Sequence, residues 1–437
     1  MRTCKIHVQY ETIGGVQMFA SKMTEQLVQC GFDSALSRIY QDIPAARKRC
    51  AQVASGYLNR FGAHDVSLFS APGRTEGGGN HTDHNPGAVL AAAVELDMLC
   101  AASPTEDGSV ELYSEGFGGI SINIADLSIK QEEKETSAAL IRGVANGMQQ
   151  RGYRVGGFRA YMVSDVLRGS GLSSSAAFEV LLCCIQSHLY NEGRLAPVEA
   201  AIISRYAENE YFGKPCGLMD QMACAVGGFV RMDFLDPLSP VVEPIPVSTQ
   251  GYALCITDTH GNHEGLTGEY GAVTVEMRAV ARTLGGEVLR DVTEEALYEN
   301  AARIREACGD RAFLRAAHFF RDHARVEQQA DALKAGDVER FLALVRQSGQ
   351  SSFMYLQNVY LAANPQQEPV AAALCLSEHL LKDRGATRVH GGGFAGTIQA
   401  WVPLDLLEEY RSGMDAVFGE GSCAVPGIRA AGMARVL

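Results

Sequence analysis

The stretch Gly169-Ser170-Gly171-Leu172-Ser173-Ser174-Ser175-Ala176-Ala177 constrains the fold more than any other, because a glycine turn runs there directly into an apolar helical pattern. Gly169 and Gly171 lack a Cβ, so the backbone can take positive φ and lie close to a ligand. The serines stand where a first helical turn leaves four N–H groups without partners and where the macrodipole is positive. Such an end attracts an anion, and the pattern over 176–190 supports a buried helix behind it. Gly-Ser segments are also ordinary turns and Ser an ordinary N-cap, so the rest of the chain has to choose between the two readings.

Composition narrows the choice. A chain of 437 residues, 46% hydrophobic, can hold two or more domains with real cores. Its formal charge of -13, without a long basic run, disfavours nucleic acid and anionic membranes as partners. Small-molecule chemistry is the better expectation, with positive charge, metal or N–H dipoles gathered locally around any polyanion. The start of the chain lacks a signal pattern, and no window reaches the roughly 18 apolar residues of a membrane span. A cytoplasmic protein is expected. Twelve scattered cysteines without a CxxC pair suggest reduced thiols rather than disulfides or zinc.

Along the chain, 1–66 reads as a helical extension, clearest at 45–61. A strand over 66–73 delivers Arg74-Thr75-Glu76-Gly77-Gly78-Gly79-Asn80-His81-Thr82-Asp83-His84-Asn85, a loop dense in polar groups. His81, Asp83 and His84 could ligate metal, but their spacing fits no familiar motif. A buried strand or strand pair is expected over 88–102, a surface hairpin over 108–124, a helix over 136–150 and a strand over 158–166. Helix 198–211 carries Glu208, whose simplest reading is a solvated carboxylate. In Pro215-Cys216-Gly217-Leu218-Met219-Asp220-Gln221-Met222, Asp220 is a helix cap or a functional acid tuned by apolar neighbours.

Prolines over 236–246 mark a domain boundary, giving 67–236 and 250–437 as the two main domains. The second opens with a strand over 252–257, then a polar turn with His260 and His263, then a helix over 265–284 that carries Tyr270. Several further helices run from 294 to about 385. Gly391, Gly393 and Gly396 formally satisfy GxGxxG, but an alternating strand follows where a dinucleotide fold needs a helix. The triple glycine is instead expected to pack against the serine loop across a cleft. Irregular mixing of strands and helices favours an α+β fold.

Taken in order, these segments carry a resemblance. GSGLSSSAA resembles the second motif of the GHMP small-molecule kinases and VHGGGFAGT the third; APGRTEGGGNHTDHN and CGLMDQM are similar to segments of the galactokinase family within it. The resemblance implies a two-domain α+β fold with ATP and a sugar in the inter-domain cleft, and transfer of a phosphoryl group to the anomeric hydroxyl of galactose. It implies Asp220 as base, with Arg74 orienting it and stabilising phosphoryl charge. Gly169, Ser170, Gly171, Leu172, Ser173, Ser174 and Ser175 would cradle ATP, and Ser174 and Glu208 would hold Mg2+. Asn80, His81, Asp83, Gly217 and Tyr270 would contact the sugar. The expected protein is a monomer.

The chain departs from the family pattern in places, and the first departure bears on the choice of sugar. Asn80 stands where many relatives have Glu, and Gly77 and Gly78 stand where bulky aliphatics are usual, which suggests a looser loop. A proline usual ahead of the serine loop is missing. Two alternatives stay open: a kinase for another sugar such as N-acetylgalactosamine, and a non-catalytic sensor that binds sugar and ATP.

Overall fold

The computed structural model describes residues 18–166, 171–246, 249, 251–261 and 266–437. Its spine is a single strand, Ala88–Pro104, in which Ala, Val and Leu bury both faces over almost the whole length. This strand pairs antiparallel with Asp65–Gly78 along one edge. Along the other it pairs with Phe229–Asp233 near its start and with Phe158–Ser164 near its end. The hairpin Ser109–Ser114 and Gly118–Asn123 extends the sheet, its first strand running parallel to Phe158–Ser164.

Alternation sorts the sheet's two faces. Phe69, Met98, Cys100 and Ala102 share a core with helices Ser137–Gln150, Ser174–Tyr190, Pro197–Tyr206 and Met219–Val226. Leu68, Leu99, Ala101 and Val163 point the other way, onto helix Ile43–Phe61 and its Cys50, Val53 and Tyr57. Asp42 starts that helix by accepting a hydrogen bond from the Ala45 amide at 2.9 Å. The helices before the first long strand therefore cover one face of the sheet rather than standing apart as an extension. Arg49 reaches into the sheet as well, lying 2.7 Å from Asp97.

A second sheet of four antiparallel strands runs Ala386–Val389, Thr397–Pro403, Tyr252–Asp258, Cys423–Ala424. Helices Pro369–Leu381 and Leu407–Phe418 pack with it. Helices Asp310–Lys334 and Val338–Ser351 share their core with the first sheet, and Phe229 stacks on Trp401 with ring centroids 6.1 Å apart. The fold is α+β, with a strand and not a helix after the triple glycine.

The sheets do not follow the linear boundaries read from the sequence. Val241–Ile245, beyond residue 236, still pairs with Phe229–Asp233. Ala434–Arg435 returns to the first sheet and pairs with Ser70 and Phe69, while Arg429 lies 2.9 Å from Asp97. The pairing partners of these segments, not the prolines, decide where they belong. Among the described residues no helix is long and apolar enough to cross a membrane.

Candidate active site

Asp220 is the second residue of helix Met219–Val226, and Arg74 lies in strand Asp65–Gly78. Arg74 Nε donates to Asp220 Oδ1 at 2.7 Å, and its Nη1 donates to the Gly171 carbonyl. The Ser173 hydroxyl donates to Asp220 Oδ2. Burial alone would raise the Asp220 carboxyl, but Arg74, Ser173 and Lys214 outweigh it and hold that pKa below the usual carboxylate value. Its side chain keeps 35% of its exposure, so an ionised carboxylate remains accessible from outside.

The serine loop meets this pair from the other side. Gly169 and Ser170 lie outside the described residues. Gly171 has φ +69°, and a Cβ there would sit 2.5 Å from Thr397 Oγ1. A Cβ on Gly391 would stand 3.3 Å from the Gly171 carbonyl, so the triple-glycine turn and the serine loop approach backbone to backbone. Leu172 buries its side chain, and its carbonyl accepts from the Arg74 amide at 3.2 Å. Ser173 occupies the N-cap position in the left-handed region with φ 58°. Its hydroxyl goes to Asp220 and makes no capping bond, which leaves the N–H groups of the helix end to another acceptor.

Glu208 is 2% exposed and is anything but a solvated carboxylate. The helix expected over 198–211 changes at Ala207 into a π-helical turn, Ala207–Phe212, which turns Glu208 inward. There it accepts from Ser175 Oγ at 3.2 Å, Gln221 Nε2 at 2.7 Å and Lys214 Nζ at 3.4 Å. Ser175, and not Ser174, is the serine bonded to it. Among the described residues no cluster of three His, Cys, Asp or Glu forms a ready-made metal cage.

Two residues near this site escaped the sequence reading. Glu179 is fully buried in helix Ser174–Tyr190; Gln221 Nε2 donates to its Oε2 at 3.2 Å, while its Oε1 has no partner. Burial, with Glu208 nearby, raises its pKa well above the usual carboxylate range. Its signal was a lone carboxylate inside an apolar helical run. Lys214 is the other; nothing in its local sequence pointed to Glu208.

The polar loop Gly79–Asn85 stands beside Asp220. His81 Nε2 donates to the Gly392 carbonyl at 2.9 Å; burial, and next His84, lower its pKa to about 3. Asp83 packs over Gly217 so closely that a Cβ at 217 would sit 1.7 Å from Oδ2. The Tyr270 hydroxyl donates to the Gly393 carbonyl at 3.0 Å, its ring against Gly392 and Phe394. Asn80 corrects the expectation of a sugar contact. It is 1% exposed, its Nδ2 donates to Gly391 O at 2.8 Å and Glu76 Oε2 at 3.1 Å, and its Oδ1 accepts from Asn358 at 2.7 Å. An amide engaged at both ends inside the protein has nothing left for a ligand. His260 turns away from the cleft to Ser422 at 3.0 Å, and His263 lies outside the described residues.

An acid held by an arginine, facing an open helix end reached through a glycine turn, is the arrangement of a GHMP small-molecule kinase. Residues 139–228 match the GHMP kinases N terminal domain, and residues 55–104 match the galactokinase galactose-binding signature. The galactokinase of Glaesserella parasuis is 31% identical over 363 residues, 81% of this chain and 90% of its own length. That of Streptomyces coelicolor is 31% identical over 86% of this chain and 94% of its own. The chain belongs to the galactokinase family. Its fold also resembles the crystal structure of Lactococcus lactis galactokinase complexed with galactose, with TM-score 0.76 and 24% identity over 89% of this chain and 100% of that one. A mevalonate kinase crystal structure shares the fold at TM-score 0.59 and 12% identity, over 83% and 99% of the two chains.

Proposed function

We propose that this protein transfers the γ-phosphoryl group of ATP to the anomeric hydroxyl of galactose, with Asp220 as the acceptor of the hydroxyl proton. The observation that carries the reading is the Arg74–Asp220–Ser173 contact, an ionised carboxylate held in the cleft beside the serine loop. A carboxylate with a lowered pKa is a weak base. It suffices where the transition state is loose and the proton leaves late, as the bond from oxygen to phosphorus forms. Arg74 then has two tasks: it fixes the carboxylate, and it places positive charge beside the transferred group.

The N–H groups after Gly171 would donate to the phosphate oxygens of ATP. A magnesium ion suits the oxygen donors here, the Glu208 carboxylate and the serine hydroxyls, which are hard ligands. Glu208 and Ser174 would hold it, and bound Mg2+ would neutralise phosphate charge. His81, Asp83, Gly217 and Tyr270 would line the sugar. The reading extends to a monomer in the cytoplasm, which sedimentation and fractionation would check.

A coupled ADP-release assay with galactose, N-acetylgalactosamine, glucose and arabinose tests the reading. Turnover on galactose is the expected result. Turnover confined to another sugar, or binding without turnover, would overturn it.

A further inference from the structure

The loop that carries His81 and Asp83 is tied along its backbone to one face of helix Asp310–Lys334, from the other half of the chain. Asp322 Oδ2 accepts from two consecutive amides, Gly79 at 3.0 Å and Asn80 at 2.9 Å. One turn earlier, His318 Nε2 donates to the Asn80 carbonyl at 2.9 Å, while its Nδ1 accepts from the Ser351 hydroxyl at 2.9 Å. Further along, Gln329 Nε2 donates to the Gly77 carbonyl at 2.9 Å. Positions 318, 322 and 329 fall within about 40° of one another around a helix, so a single stripe reads out residues 77 to 80. All three side chains are 0% exposed.

The glycines of the loop make this possible. A Cβ on Gly78 would lie 2.0 Å from Gln329 Oε1, a space only glycine leaves open. A pair expected to loosen the loop instead admits the residue that pins it. The chain leaves Asn80 into His81 at φ 59°, a left-handed conformation that needs the flanking peptide held in place.

We propose that His318, Asp322 and Gln329 are positioning residues that set where the sugar-contacting loop stands, and with it the affinity for galactose; this rests on the sugar-kinase reading above. They touch the loop backbone and act on the sugar only through His81 and Asp83. Removing a tether therefore acts first on the sugar side of the site, since the described hydrogen bonds of the three side chains do not reach the serine loop.

Steady-state kinetics in both substrates test this on Asp322→Asn, His318→Ala, His318→Gln, Gly78→Ala, Gln329→Ala and the Gly78→Ala/Gln329→Ala double variant. Asp322→Asn and His318→Ala should raise the galactose KM by about 10- to 100-fold, with the ATP KM within about twofold of wild type. His318→Gln, which can still donate to the carbonyl, should recover most of that loss. Gly78→Ala should raise the galactose KM, and the double variant should be better than the product of the single effects, because truncating Gln329 removes the clash. Parallel changes in both KM values, an unmoved galactose KM in folded variants, or independent effects in the Gly78–Gln329 cycle would overturn the proposal. If Asp322→Asn does not fold, the Gly78–Gln329 cycle decides alone. Wild-type protein inactive on galactose would instead sink the functional reading, so the two failures are distinguishable.

Discussion

Arg74 Nε and Asp220 Oδ1 lie 2.7 Å apart although 146 positions separate them in the chain. The arginine is 5% exposed and the aspartate 35%, so the pair leaves its carboxylate accessible and keeps its guanidinium in the protein.

Asp220→Asn keeps the shape and removes the charge. We expect kcat to fall by about 10²–10⁴-fold while ATP binding stays near wild type. Turnover in the coupled assay, with ATP affinity by calorimetry, checks this; near-wild-type turnover would rule Asp220 out as base.

Gly171→Ala adds a Cβ 2.5 Å from Thr397 Oγ1 at a residue with φ +69°. The cost is about 1–3 kcal/mol of strain, felt at the serine loop. The ATP KM should therefore rise more than the galactose KM, and the reverse order would contradict the placement of the nucleotide.

His81 titrates at about 3, far below an unperturbed histidine, because burial, and then His84, oppose its charged form. A depressed pKa gives stability that is complete above the unfolded value of about 6.5 and is lost as pH falls toward 3. Against His81→Asn, the wild-type protein should lose melting temperature on acidification from pH 7 to pH 4. A difference that stays flat with pH would refute the buried neutral imidazole.

Arg429 and Asp97 form an ion pair with both side chains 0% exposed, tying the end of the chain to the first sheet. Arg429→Met leaves Asp97 buried with fewer partners and should cost about 3 kcal/mol or more in urea unfolding. The KM values for galactose and ATP should not move, since Arg429 contacts Ser70, Asp97 and Gly432 rather than the cleft.

What could be read from the chain alone was local. The glycine turn entering an apolar helix, the strand that rules out a dinucleotide site after Gly396, and the apolar run of Ala88–Pro104 are properties of neighbouring residues, and periodicity and backbone freedom report them directly. The residues gathered at the cleft were recognised through motifs, whose order survives in sequence even where their contacts do not. Tertiary structure decided the rest. Glu208 became a buried carboxylate where a π-helical turn replaces the expected helix, and no spacing rule announces that turn. Asn80 left the sugar for a network with Glu76, Asn358 and Gly391, and the same glycines that suggested a slack loop let Gln329 in to hold it. Each depends on a partner far off in the chain, and a hydrogen bond between remote residues is set by how the sheets and helices pack, which local pattern does not encode.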